Sequence, residues 1–363
     1  MKRRFVYLVG VTLLAVLALV WLTPGERSSG EIERKALFLP SIAEQVNEVD
    51  RVEIVSAGNQ TIATLLKSGG RWQLEQMHGY HANWSELQTL LADLAQARIV
   101  EQKTDKPEYY ALLGVDDIAG KDAGSVLVKV SVGDQTTGIL VGNQAQGGAG
   151  QYVRLQDESA SALLDRQLEV STRLLDWADS RIIDINSAEV AEVEIIHPEG
   201  DRIFVTRISA DQTDFDLVGL PQGRELKSSW AVNSLASVFS MLDMETVAPV
   251  DNVDWKDAVR MRLLTFSGVE IMSDVVAVGD DYLLRLQASH PMAAVVNKQT
   301  GENQDAVDAV EQQDIADRAR EDIVKTVEDI NQKVTGWAYG ISKYKYDALV
   351  KKQEDILKPL DTP

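Results

Sequence analysis

Cysteine is absent from this chain of 363 residues. Its absence excludes disulfides, a thiol nucleophile, thiolate metal ligands and lipoprotein processing, and it suits an oxidising compartment, where a stray thiol is a hazard. Positive charge is also scarce: 36 lysines and arginines face 56 aspartates and glutamates, and the net charge is −20. So acidic a surface favours solubility and argues against nucleic acid as a partner and against adsorption to anionic lipid headgroups.

The familiar catalytic patterns are missing as well. No Gly-x-Ser-x-Gly nucleophile elbow occurs. The glycine-rich residues 147–150 lack the Gly-Lys-Ser/Thr that a phosphate loop needs, so they indicate a flexible hairpin loop. Ser342 and Lys345 fit the Ser-x-x-Lys pattern of penicillin-interacting enzymes, but the Ser-Asp-Asn and Lys-Thr-Gly companions of that pattern are absent. We therefore expect a protein that is not an enzyme.

The histidines and acidic pairs do not predict a metal site. His78 and His81 are three residues apart, but the spacing places no third ligand beside them. His197 and His290 each precede a proline, which is typical of turns. Two acidic pairs lack the Asp-x-Asp-x-Asp-Gly framework of a calcium loop and are interpreted as solvated turns: Asp116-Asp117 and Asp280-Asp281. The sequence thus predicts no catalytic, metal-binding or cofactor-binding residue, and no cofactor.

One long hydrophobic run is present, at residues 5–22, directly after Lys2, Arg3 and Arg4. Its length is near the lower end of the ~17–25 residues that span a bilayer as a helix. We predict a transmembrane anchor over residues 1–23 and a juxtamembrane linker over 24–45. By the positive-inside rule the N-terminus lies in the cytoplasm, which places the protein in the inner membrane as a single-pass protein with its bulk in the periplasm. A cleaved signal peptide is the alternative, although no Ala-x-Ala triplet follows the run.

Beyond the linker, the sequence repeats itself. Residues 49–54 and 190–195 both read Val-x-x-Val-Glu-Ile and alternate apolar with polar side chains, as half-buried strands do. Each copy continues with further strands, among them residues 126–132, and with a helix that opens at Trp84 or at Trp230. A bridging helix is predicted over residues 159–179.

These patterns predict an α+β fold with an N-terminal transmembrane helix. Two tandem modules of mainly antiparallel sheet with a packed helix follow, module 1 over residues 46–181 and module 2, its repeat, over 182–300. A helical charged tail is predicted over residues 301–363. Within the tail, residues 337–346 hold one tryptophan and three tyrosines. They either staple the tail onto the sheets or form a surface for a partner or the membrane interface.

The order of features resembles the DUF4340 family. The resemblance rests on the N-terminal run, the repeated Val-x-x-Val-Glu-Ile, the strand at residues 152–155 and the segment at residues 175–185, which reads Leu-Asp-Trp-Ala-Asp-Ser-Arg-Ile-Ile-Asp-Ile. It implies a bacterial, membrane-anchored protein whose biochemistry is unassigned. It also implies partners, because family members are often encoded beside an ABC transporter ATPase and permease and a GldG-like extracytoplasmic protein.

We therefore expect a non-enzymatic, membrane-anchored extracytoplasmic accessory protein that binds partners in an ABC-transporter complex of the GldG type. The expected partners are the inner membrane through residues 5–22, the ABC permease and the GldG-like protein, with no nucleic acid. The alternative is a periplasmic ligand-binding module that uses the cleft between the two repeats, because pockets prefer domain interfaces.

Overall fold

A computed structural model describes residues 36–148, 150–291 and 306–359. The transmembrane anchor predicted over residues 1–23 and most of the predicted linker lie outside the described residues. Among the helices that are described, none is long and apolar enough to cross a membrane.

Nine antiparallel strands make the first sheet. They are β1 (Arg51–Ser56), β2 (Gln60–Ser68), β3 (Arg71–Leu74), β4 (Tyr80–His81), β5 (Ile99–Gln102), β6 (Val126–Val132), β7 (Gln135–Gln144), β8 (Gln151–Leu155) and β9 (Ser161–Leu164). Their order across the sheet is β4-β3-β2-β1-β6-β7-β8-β9-β5. The alternation in β1 buries Val52 and Ile54 completely, so this strand forms because one of its faces is apolar.

Eight antiparallel strands make the second sheet, and two short strands pair beside it. The pair is β10 (Arg181–Ile183) with β14 (Leu242–Asp243). The sheet contains β11 (Val190–Ile196), β12 (Arg202–Thr206), β13 (Asp216–Leu217), β15 (Thr246–Pro249), β16 (Val259–Thr265), β17 (Glu270–Val278), β18 (Asp281–Ser289) and β19 (Trp337–Gly340). Its order is β13-β12-β11-β16-β17-β18-β19-β15.

The two sheets share one strand order. In spatial order, the strands β3-β2-β1-β6-β7-β8-β9-β5 of the first sheet correspond one by one to β13-β12-β11-β16-β17-β18-β19-β15 of the second. The central pairings also correspond: β1 pairs with β6 and β11 pairs with β16, both antiparallel. The repeat in the sequence is therefore a repeat of topology. The module boundaries at residues 181 and 300 stay predictions.

Helices are few. They are α1 (Pro40–Gln45), α2 (Trp84–Gln96), α3 (Tyr110–Leu113), α4 (Ser229–Asn233), α5 (Ala306–Val334), α6 (Lys343–Leu349) and α7 (Gln353–Ile356). The side chain of Asn83 caps α2 by accepting from the N–H of Glu86, 3.4 Å away. This helix buries four leucines at helical spacing: Leu87, Leu90, Leu91 and Leu94.

The predicted α+β class is wrong, because the described chain is mostly antiparallel sheet with few helices. The helix predicted over residues 159–179 is replaced by β9, inserted between β8 and β5, and by a 3-10 turn at Leu174–Trp177. Pairing with two neighbouring strands outweighs local helix propensity there.

In the second unit, the part of the chain that forms the second sheet, the helix predicted to open at Trp230 is only five residues long. It ends at Asn233 and continues as a 3-10 turn at Ser234–Ser237. The hydroxyls of Ser234 and Ser237 each donate to a carbonyl three residues earlier. Such side-chain bonds compete with the α-helical pattern.

The prediction of a helical tail is wrong for one element. Its long helix α5 is present, but Trp337–Gly340 forms β19 between β18 and β15. In the second sheet, β19 takes the place that β9 takes in the first. The end of the chain is therefore part of the second sheet and not an appendage to it.

Candidate functional site

The Ser-x-x-Lys pattern is a structural clamp. The Ser342 hydroxyl caps α6 by accepting from the backbone N–H of Lys345 at 3.4 Å. The Lys345 ammonium donates to the carbonyls of Val238 and Ser240 at 2.9 and 2.8 Å. Lysine here neutralises the end of the turn that follows α4, so the pair fastens the chain end to the second unit.

The structure shows the surroundings of three of the histidines. His78 is exposed, and His81 is half-buried beside the ring of Tyr80. Burial, followed by the charge of Arg71, lowers the pKa of His81. His197 is buried, and its Nε2 lies 3.1 Å from the carbonyl of Lys351. In the described part of the chain, no three metal-ligating side chains come together.

The acidic pairs and the glycine loop also lie at turns. Asp117 pairs with Arg154, and a carboxylate oxygen of Asp116 accepts from the N–H of Gly124 at 3.1 Å. Asp280 lies in the turn between β17 and β18 and is exposed. In the glycine loop the N–H of Ala145 donates to the carbonyl of Gly150 at 2.8 Å and closes the connection from β7 to β8; Ala149 lies outside the described residues.

Most aromatic side chains of residues 337–346 pack against the rest of the protein. The ring of Trp337 meets Tyr80 edge-on at 5.1 Å, Tyr339 is fully buried, and Tyr346 lies 4.5 Å from the ring of Tyr282. Tyr344 differs, because 78% of its surface is exposed. The segment staples the end of the chain to the sheets, and Tyr344 alone among its aromatic residues faces solvent.

The contact between the two units is filled by aromatic rings and polar bonds. Tyr80 donates its hydroxyl proton to the carbonyl of Asp179 at 3.1 Å, and Lys333 binds the Asp179 carboxylate at 2.7 Å. Burial raises the pKa of Tyr80 to about 12 and raises that of Tyr339 well above its ordinary value. Both phenols are therefore neutral at physiological pH, and their role is to hold the two units together.

A groove lies at the outer edge of the first sheet, between strand β5 and helix α3. Its volume is about 310 Å³. Its lining combines an exposed strand with an apolar wall: Glu101, Gln102, Lys103, Thr104, Tyr109, Leu112 and Leu113. Leu112 is 74% exposed and Tyr109 is 47% exposed. Large apolar side chains this open to water mark interaction sites when they gather in one place.

The wall of the groove is held rigidly. Tyr110 is buried and donates its hydroxyl proton to the carbonyl of Ser159 at 2.6 Å. The guanidinium of Arg154 stacks on the Tyr110 ring at 4.4 Å and donates to the carbonyl of Val115 at 3.0 Å. Gly114, at φ 65°, ends α3 in the left-handed conformation that glycine tolerates. Leu112 is thus presented from a fixed helix.

The strand side of the groove is an edge. In the described sheet β5 pairs only with β9, and a short antiparallel contact lies just before it: Phe38 N–H donates to Ala97 O at 2.8 Å and Ile99 N–H donates to Ala36 O at 3.0 Å. The corresponding strand of the second sheet, β15, ends in Pro249, which has no backbone N–H to donate to a further strand. Among the described residues, no strand other than β9 pairs with β5 beyond Ile99.

Sequence reasoning missed this groove. Its residues carry no motif, and the apolar Leu112 and Leu113 look like core residues in the sequence. The only available signal was Gly114 directly after them, which predicts that a short helix stops there.

Fold and groove together define a protein of two topologically repeated antiparallel sheets, with a groove beside the edge strand β5. The chain belongs to the DUF4340 family: the family model, described as a domain of unknown function, matches residues 72–260, just over half of the chain. The match runs from β3 into β16 and includes the groove. No curated protein and no solved structure matches the chain.

Proposed function

We propose that the protein is a non-enzymatic accessory protein that binds partner proteins at the extracytoplasmic face of the inner membrane, where residues 5–22 hold it. Its partners in this proposal are the permease of an ABC transporter and a GldG-like protein. The observation that carries the proposal is the groove between β5 and α3, with Leu112 exposed beside an open strand edge.

The groove supports protein binding through its two walls. An open edge offers backbone N–H and C=O groups to an extended segment of a partner, and an apolar wall beside it selects side chains. The antiparallel contact of Phe38 with Ala97 already uses the same edge, so a partner strand would continue an existing pairing. The titratable residues that were candidates from the sequence instead cap helices, lie in turns or form ion pairs.

The cleft alternative has less support. The rings of Tyr80, Trp337 and Tyr339 occupy the contact between the units, where a ligand would have to lie. A ligand-binding role would require these rings to separate.

Affinity capture tests the proposal. The full-length chain is crosslinked briefly in intact membranes and purified in mild detergent, and its partners are identified by mass spectrometry. We expect to recover the permease and the GldG-like protein with the wild type. The control variant Ile208→Glu, which introduces a negative charge at a 90% exposed aliphatic position away from the groove, should recover them equally well. Leu112→Glu should reduce their recovery at least tenfold.

Two results count against parts of the proposal. A partnerless wild-type eluate, under conditions that keep the permease intact, contradicts the accessory role. Equal recovery with Leu112→Glu leaves the accessory role standing and removes the groove as its site.

A further inference from the structure

The chain that precedes Ala36 is directed along the edge of the first sheet towards the groove. Leu37 forms an antiparallel bridge with Arg98, and the N–H of Ile99 donates to the carbonyl of Ala36 at 3.0 Å. Because the pairing is antiparallel, each residue before Leu37 lies further along β5. Beyond Ile99, no described strand other than β9 pairs with β5.

The observed bridge sets a register for the residues before it. Each step back from Leu37 is matched by one step forward from Arg98, so that residues 31–35 would lie opposite residues 100–104. Four of these five residues of β5 and its end line the groove. The bulge of β5 between Ile99 and Glu101 shifts the register by one residue if the added strand passes it as β9 does.

The charges of residues 31–35 suit both registers. The segment reads Glu-Ile-Glu-Arg-Lys. In the register counted from Leu37, Arg34 would lie opposite the carboxylate of Glu101, which is 59% exposed. In the shifted register, Glu33 would lie opposite Lys103. Opposite charges that face each other across two strands stabilise the pairing.

The side chain of Lys103 points to the side of the sheet that carries α3. Its ammonium lies 5.9 Å from the centre of the Tyr152 ring. Arg154, two residues further along the same strand, stacks on the ring of Tyr110 in α3. Residues two apart in a strand share one face, so a side chain that is added opposite Lys103 would face the groove wall.

Ile32 supplies an apolar side chain for this wall. It is the only large aliphatic residue in positions 24–35, and in the register counted from Leu37 it lies opposite Lys103. Leu112 and Tyr109, which line the groove together with Lys103, are 74% and 47% exposed. The added strand would therefore cover apolar surface that is otherwise open to water.

From the direction of the chain, the register, the charges and the apolar match, we infer that residues 31–35 bind the groove of the same chain as an added edge strand of the first sheet. The segment is joined directly to the bridge at Leu37, so its effective concentration at the groove is high. A partner strand must displace it, and only this competition rests on the proposed function.

The absence of cysteine makes the pairing directly testable. Opposed residues of an antiparallel pair have Cα atoms about 4.5–5.5 Å apart, a distance that a disulfide bridges. Glu33→Cys with Gln102→Cys tests the register counted from Leu37, and Glu33→Cys with Lys103→Cys tests the shifted register. Glu33→Cys with Ile208→Cys, at a 90% exposed position in the second unit, is the matched control.

The full-length variants are oxidised mildly in intact membranes, and disulfides are identified on non-reducing gels and by mass spectrometry of the linked peptides. We expect one of the two groove pairs to form an intramolecular disulfide with at least ten times the yield of the control pair. Yields equal to that of the control for both groove pairs overturn the inference and leave the proposed function standing. A disulfide that links two chains, at twice the mass, overturns it as well, because the occupant is then a second copy.

Affinity capture of the disulfide-linked protein then tests the competition. Recovery of the permease and the GldG-like protein should fall at least tenfold in the oxidised protein and return after reduction. Unchanged recovery would leave the added strand established by its disulfide, and it would contradict the groove as the partner site in the proposed function.

Discussion

Truncation at the predicted tail boundary should unfold the second sheet. A chain that ends after residue 300 loses α5 and, with β19, the strand that joins β18 to β15. Among the residues whose burial is described, it also loses seven buried side chains: Val334, Ala338, Tyr339, Ile341, Leu349, Ile356 and Leu357. Five of these are valine, isoleucine or leucine, and each stabilises the fold by about 2 kcal/mol when fully buried.

The expected loss is therefore on the order of 10 kcal/mol before Tyr339 is considered, and it is an upper value because unfolded chains are partly compact. Whole domains are stable by only about 5–15 kcal/mol. We expect hydrogen exchange to show unprotected amides in β15 and β18 of the truncated chain. A chain truncated after Pro359 keeps every one of these side chains and should melt like the full chain. If the chain of 300 residues melts in one transition at the full-length temperature, the assignment of β19 to this sheet is refuted.

Three point substitutions test other contacts. Burial lowers the pKa of His81 below its ordinary value near 6.5. The stability that the neutral His81 side chain contributes is therefore present above pH ~6.5 and is lost as the pH falls further. Between pH 7.5 and pH 5.5, the melting temperature should fall less for His81→Gln than for the wild type. A Cβ on Gly142 would overlap a carbonyl oxygen at the end of α3, so Gly142→Ala should lower the free energy of unfolding in denaturant by about 1–3 kcal/mol. In the control Gly120→Ala, the nearest atom to the added Cβ is 3.9 Å away, so this variant should lose little stability. Arg154→Met leaves the carbonyl of the buried Val115 unpaired and should cost about 1–3 kcal/mol. The more exposed Arg285→Met should cost less, and equal losses would contradict this account of the groove wall.

Strands with a strict alternation were predictable from the sequence. The patterns at residues 49–54, 190–195 and 126–132 predict β1, β11 and β6, and the structure confirms all three. The leucines after Trp84 predict α2, which is confirmed too. Both signals are local, because a strand with one buried face and a helix with one apolar stripe each record their environment in their own sequence.

Pairing between distant segments was not predictable in the same way. Neither β9 nor β19 has a pattern of its own, because each is only four residues long and is defined by the strands on either side. The groove was missed for a related reason: Leu112 is exposed only because α3 stops at Leu113 and the chain turns away. Trp84 and Trp230, which open the two helices as predicted, are 52% and 73% exposed, and nothing in the sequence separates them from core tryptophans.

The placement of β19 also sets an order of events in folding. Five residues connect β8 to β9, whereas 47 residues connect β18 to β19. For a flexible chain, closing the longer connection costs about 2 kcal/mol more in entropy. The first sheet can close soon after residue 164 has left the ribosome, but the second must wait for residue 340. Until then β18 and β15 expose unpaired edges, so a newly made chain is prone to aggregation until residue 340 has been added.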